Sequence, residues 1–108
     1  MAANDERIEQ FKQLAELDPN DELVFFGLAT ELQKAGRHAE AAAAFARVLE
    51  LKPDYSVAYR GLGCAYRDTQ QIDKARETFI KGIEVAKKNG DLQTVKEMEV
   101  FLRRLAEC

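Results

Sequence analysis

"YRGLGCAYRD", residues 59–68, sits among apolar residues that recur at helical spacing, yet it carries Gly61 and Gly63 where a helix interior runs. Each glycine costs a helix about 1 kcal/mol relative to alanine. Local propensity does not place them there, so a tertiary reason must.

Laid against itself at an offset of 34, the chain brings Phe11, Phe45 and Phe79 into register, and with them Glu16, Glu50 and Glu84. Pro19 falls on Pro53, Gly27 on Gly61, Leu28 on Leu62 and Ala41 on Ala75; Phe25 pairs with Tyr59, Ala29 with Gly63 and Leu14 with Val48. A period of this length marks a stacked array of supersecondary units. Within each copy the apolar residues follow a helical stripe: Phe25, Leu28, Ala29 and Leu32 in one, Tyr59, Leu62, Gly63 and Tyr66 in the other. A break ("KAGRHAE" or "DTQQIDK") leads to a second amphipathic helix, residues 41–51 or 73–86, so the unit is a helical hairpin.

Local signals define the ends of these helices. Gly36 is placed to close a helix in the left-handed conformation, and Asn20 and Asp54, each following a proline, are suited to cap the helix that follows. Asp73 after Ile72 offers a third cap with a hydrophobic staple. His38 falls in the first turn, where solvation is its expected state; as the lone histidine it makes a protein-ligated metal unexpected.

The chain has 108 residues, 46% hydrophobic and 32% charged, the size and composition of one globular domain spanning 1–108. A net charge of −3 speaks against nucleic acid or an anionic membrane as the main partner. Residues 1–54 carry 6 basic and 11 acidic side chains, residues 55–108 carry 10 and 8, so an anionic ligand would favour the second half. The opening "MAANDERIEQ" lacks the basic and apolar regions of an export signal, and no apolar run approaches membrane-spanning length; a cytoplasmic location is expected. Cys64 and Cys108 form no pairing framework. Cys64 reads as a small core residue, with a reactive thiol as the alternative, and Cys108 as an exposed tail. Catalytic motifs are missing: there is no nucleophile elbow, no phosphate loop and no zinc-protease motif, and Ser56 and His38 are each the only residue of their type. Glu97 and Glu99 read as solvated carboxylates. Neither an enzyme nor a cofactor is expected.

"FFGLATEL", "AEAAAAF" and "LELKP", then "YRGLGCAY", "KARETF" and "IEVAKK", resemble tetratricopeptide repeats, whose W-x2-L-G-x2-Y…A-x3-F…P pattern has this period. The second copy supplies Tyr59, Leu62, Gly63, Tyr66, Ala75 and Phe79 at the signature positions, and the first Phe25, Leu28, Ala29, Leu32, Ala41, Phe45 and Pro53. The departures are Leu32 for tyrosine, Lys87 where a proline would close the second copy, and Gln70 where the first copy has Gly36; the last two suggest that the array ends here. The resemblance implies an all-α, right-handed superhelical solenoid of about six antiparallel helices: a preceding helix at 4–20, repeats at 22–55 and 56–89, and a capping helix at 91–107. That cap presents Leu92, Val95, Met98, Phe101, Leu102 and Leu105 as one stripe, and the opening helix a matching one of Ile8, Phe11, Leu14 and Leu17.

The resemblance further implies a concave groove built from the first helices, lined by Leu23, Phe26, Gly27, Thr30 and Gln33 and by Val57, Arg60, Gly61, Cys64 and Arg67. Ala29 and Gly63 would let the helices of a hairpin approach closely. Gly27 and Gly61 either bare the groove floor for a ligand backbone or allow neighbouring first helices to pack. Arg60 and Arg67, two turns apart, either address one carboxylate or are solvated or paired within the chain. Family members that clamp chaperone tails place lysine and asparagine where this chain has Phe26 and Thr30, which disfavours that ligand. The implied function is capture of another protein's peptide, with an acidic residue or carboxylate as one possibility; the alternative is a homodimer through the apolar face of the capping helix, with Val100 as a contact.

Overall fold

The computed structural model describes residues 3–106; Cys108 and the end of the expected capping segment lie outside them. Six helices follow in order: α1 (Ala3–Leu17), α2 (Glu22–Lys34), α3 (His38–Leu51), α4 (Ser56–Asp68), α5 (Ile72–Asn89) and α6 (Leu92–Ala106). Each packs antiparallel on the next, and beyond these neighbours α2 meets α4 and α4 meets α6.

Three turns share one device. Gly36 at φ 76°, Gln70 at φ 65° and Gly90 at φ 73° turn the chain left-handed. The amide of the next residue, Arg37, Gln71 or Asp91, then donates to the carbonyl of Leu32, Tyr66 or Ala86 at 2.9, 2.8 and 2.9 Å. These bonds satisfy the carbonyls left over at a helix end. Gln70 thus keeps the backbone of the glycine it replaces, and α6 follows α5 through the third of these turns, in the place expected for the capping helix.

Helix starts differ from the expected caps. Asp21, not Asn20, caps α2, its Oδ1 accepting from the Leu23 amide at 2.9 Å, while Asn20 Oδ1 accepts from Arg47. Tyr55 and Gln71 precede α4 and α5 without a side-chain cap, so Asp54 lies one residue too early. Asp73 lies inside the first turn of α5 and accepts from Arg76 instead.

The core consists of two clusters that share Tyr66 of α4. Small residues let helices approach: Ala29, Ala41, Ala58, Ala65, Ala75 and Ala86 are fully buried, and Phe45, Phe79, Ile8, Met98 and Val48 are the large side chains sealed between them. A Cβ built on Gly63 would stand 2.4 Å from the ring of Phe79, which explains the small residue at this place in the hairpin. Gly27 and Gly61 have the same cause one helix earlier: their missing Cβ atoms would lie 2.5 Å from Phe11 of α1 and 2.3 Å from Phe45 of α3. Each glycine accepts an aromatic ring from the preceding second helix, and Gly61 also borders the space between α2 and α4.

Phe11 in Gly27 repeats Phe45 in Gly61, so α1 stands as the second helix of a hairpin. Glu31 of α2, buried, anchors it by accepting from Asn4 at 3.0 Å and facing Arg7 at 3.7 Å. Ile8 is buried, but Leu14 is 46% and Leu17 82% exposed, because no described helix covers that side of α1. At the other end Val95, Met98 and Leu105 are buried and the Phe101 ring lies 5.8 Å from Phe79, although Leu92 points outward. Most of the apolar stripe of α6 is thus buried within the chain and Val100 is half-buried, so a dimer through that stripe would rest mainly on Leu92.

Candidate functional site

α2 and α4, the first helices of their hairpins, meet over a narrow front, and a cavity of about 210 Å³ opens between them. Phe26, Thr30 and Gln33 line it from α2, Val57, Arg60 and Gly61 from α4, and the Phe45 ring closes its base. Phe26 is held edge-on to Phe45 at 5.9 Å and against Tyr55 at 5.2 Å. Such aromatic contacts fix a ring's orientation beyond simple burial. Thr30 Oγ1 donates to the Phe26 carbonyl at 2.9 Å, which leaves its oxygen as an acceptor facing the cavity. Toward the helix starts, Leu23, 62% exposed, borders a shallow depression with Lys52, Tyr55, Val57 and Asn89.

Most of the expected groove residues therefore come together, and three do not. Gly27 is occupied by Phe11. Cys64 is buried among Ala75, Phe79 and Met98, and this burial pushes its thiol pKa up; it is a core residue, not a groove-lining or reactive one. Arg67 bonds Asp68 through Nε at 3.0 Å and lies over the Phe101 ring at 5.5 Å, away from the cavity.

Arg60 reaches the cavity but is engaged as well: its Nη1 donates to Glu97 Oε1 of α6. The two arginines consequently do not address one shared carboxylate site. Both members of the Arg60–Glu97 pair remain about one-third exposed, at 33% and 37%. Sequence reasoning missed Glu97 and Tyr55. Glu97 lies 37 residues from its partner and carries no periodic signal. Tyr55, directly before α4, could have been suspected as an aromatic in a turn between two helices.

A second polar network ties α6 to the start of α4. Asp91 Oδ1 accepts from the Thr94 amide at 3.3 Å, and its Oδ2 from Ser56 Oγ at 2.8 Å. Hydrogen bonds from Thr94 and then Ser56 hold its pKa below the usual carboxylate range. Asn89 adds a bond to the Asp54 carbonyl at 2.7 Å. His38, expected in a solvated turn, begins α3; its Nδ1 is buried with no hydrogen bond and lies 3.7 Å from Asp68 Oδ2. Among the described residues no group of three His, Cys, Asp or Glu could hold a metal ion, and no helix is long and apolar enough to cross a membrane.

The family model for the tetratricopeptide repeat matches residues 32–98. The chain belongs to the tetratricopeptide repeat family. A TPR repeat-containing protein of Pseudomonas aeruginosa is 34% identical over 98 residues, covering 91% of this chain and 93% of that protein. The solution structure of a Bordetella parapertussis protein superposes with a TM-score of 0.81 at 29% identity, covering 99% of this chain and 90% of that one. PcrH, solved in complex with the chaperone binding region of PopD, superposes with a TM-score of 0.90 at 16% identity over 96% of this chain and 79% of that one, a likeness of fold. Tetratricopeptide repeat domains are protein–protein interaction modules, and the cavity between α2 and α4 belongs to such a scaffold.

Proposed function

We propose that this tetratricopeptide repeat chain captures a short segment of another protein in the concave groove. The segment's apolar side chain enters the cavity between Phe26, Val57 and Gly61. The observation that carries this reading is the cavity itself, which is apolar at its base, flanked by Thr30, Gln33 and Arg60, and large enough for a leucine- or methionine-sized side chain. An acidic residue beside the anchor would find Arg60, provided that it displaces Glu97. The peptide-bound PcrH structure supports the reading by showing the same fold in complex with a segment of another protein. Phe26 and Thr30 in place of a clamp's lysine and asparagine turn the groove toward apolar rather than tail-carboxylate recognition.

Selection from a displayed peptide library tests it. Selected peptides should share one large apolar residue with an acidic one nearby, and Val57→Asp, at the tolerant first turn of α4, should abolish their binding with helicity unchanged. Peptides that bind Val57→Asp as well as wild type would place the site elsewhere.

A further inference from the structure

We propose that copies of this chain associate head to tail, the outer face of α6 in one copy docking on the outer face of α1 in the next. This interface is separate from the groove and uses, of the apolar stripe of α6, only the outward-pointing Leu92; it rests on the way α1 and α6 are built.

α1 takes the place of a second helix, its Phe11 filling Gly27 as Phe45 fills Gly61. No described helix covers it from the side where α2 covers α3. α6 packs on α5 and reaches α4 just as α4 packs on α3 and reaches α2, so it takes the place of a first helix that no second helix covers. α1 and α6 are thus complementary halves of one hairpin, and a second copy supplies to each the partner that no described helix provides.

The surfaces match in the place of their exposed leucines and in net charge. Gly63 against Phe79 gives the alignment of first and second helix within a hairpin, and α6 begins 36 residues after α4. Carried over to α6 and the α1 of another copy, it sets Leu92 level with Asp18, one residue from Leu17, Lys96 level with Leu14, Arg103 level with Arg7 and Arg104 level with Glu6. Leu92 is 63% exposed and Leu17 82%, the most exposed large apolar side chains described, and each would cover the other. Residues 3–18 carry five acidic and two basic side chains, whereas residues 92–106 carry three basic and two acidic, one of which, Glu97, already faces Arg60. Opposed charge favours this orientation over like-to-like pairing.

The junction is looser than one inside the array. Arg7 and Gln10 stand where α3 has Ala41 and Ala44, and Glu99 stands where α4 has Gly63, so the helices approach less closely and the association is reversible. Because two different surfaces meet, the contact does not close on itself and chains lengthen with concentration.

Sedimentation velocity over a wide concentration range tests this with Leu17→Glu and Leu92→Glu, both at exposed positions and checked for unchanged helicity. Wild type should show a weight-average sedimentation coefficient that rises past the dimer without a plateau, and falls when salt is raised. Each variant alone should remain monomeric. Their equimolar mixture should stop at the dimer, since one intact α6 face and one intact α1 face remain. A wild type that is monomeric throughout or levels off at a dimer, a variant that still associates alone, or a mixture that stays monomeric would overturn the proposal.

Discussion

The ring of Phe45 lies where a side chain of residue 61 would begin: a Cβ on Gly61 would stand 2.3 Å from Phe45 Cζ. α4 accepts a weak helix former at its centre so that α3 can seat a fully packed aromatic against it. Gly61→Ala gains about 1 kcal/mol of helix propensity but forces the ring aside in a closed core. A net loss of about 1–3 kcal/mol is expected in urea unfolding. Adding Phe45→Leu should make the alanine far less costly than in wild type; strict additivity of the two substitutions would show that the ring is not the cause.

Gln70 at φ 65° supports a separate test, since a non-glycine residue in the left-handed region carries a steric cost. Gln70→Gly should stabilise the chain by about 1 kcal/mol. Gly36→Ala, whose added Cβ would meet nothing within 4 Å, should lose a similar amount from backbone strain alone. If both substitutions left the unfolding midpoint unmoved, the shared turn geometry would carry no energetic weight.

Asp91 makes the seating of α6 depend on acidity. Its folded pKa lies below the ordinary range, so its contribution is present above the unfolded pKa and is lost as pH falls through the folded value. Amide exchange in α6 should therefore rise in acid, below the normal carboxylate range, ahead of exchange in α3. Ser56→Ala should weaken α6 at neutral pH, and Asp91→Asn should flatten the acid response; an equally steep response in Asp91→Asn would assign it to other carboxylates.

Glu97 occupies Arg60 from within the chain. As a partly exposed pair it is worth only about 0–1 kcal/mol to the fold, so Glu97→Gln should melt like wild type. If Arg60 receives an acidic residue of the bound segment, the same substitution should tighten binding of a selected acidic peptide several-fold in fluorescence anisotropy, with no change for a neutral analogue. Equal affinities in both proteins would remove Arg60 from recognition.

Periodicity made the architecture legible. Phe11, Phe45 and Phe79 in register fix three equivalent second helices, and the glycines that receive two of these rings are visible as anomalies of propensity. What they receive was not legible, because a missing side chain says that something is close without saying which helix it comes from. Helix starts shifted by a residue or two: Asn20 and Asp54 are good caps in isolation, yet packing sets where each helix begins. The groove's apolar half, Phe26 and Val57, followed from position in the repeat. Its charged half did not, because the pairing of Arg60 with Glu97 depends on α6 folding back toward α4, and the longer α5 breaks the 34-residue spacing just before it.

The succession of packed pairs, each helix against its neighbour and at most the next but one, bears on how the chain reaches its fold. Few contacts require distant segments to find one another, so little loop entropy is lost before packing begins to compensate for it. Each helix can dock as soon as it emerges during synthesis, and opening should start at α1 and α6 and run inward, leaving α4, where the two clusters meet, as the last element to release its amide protons.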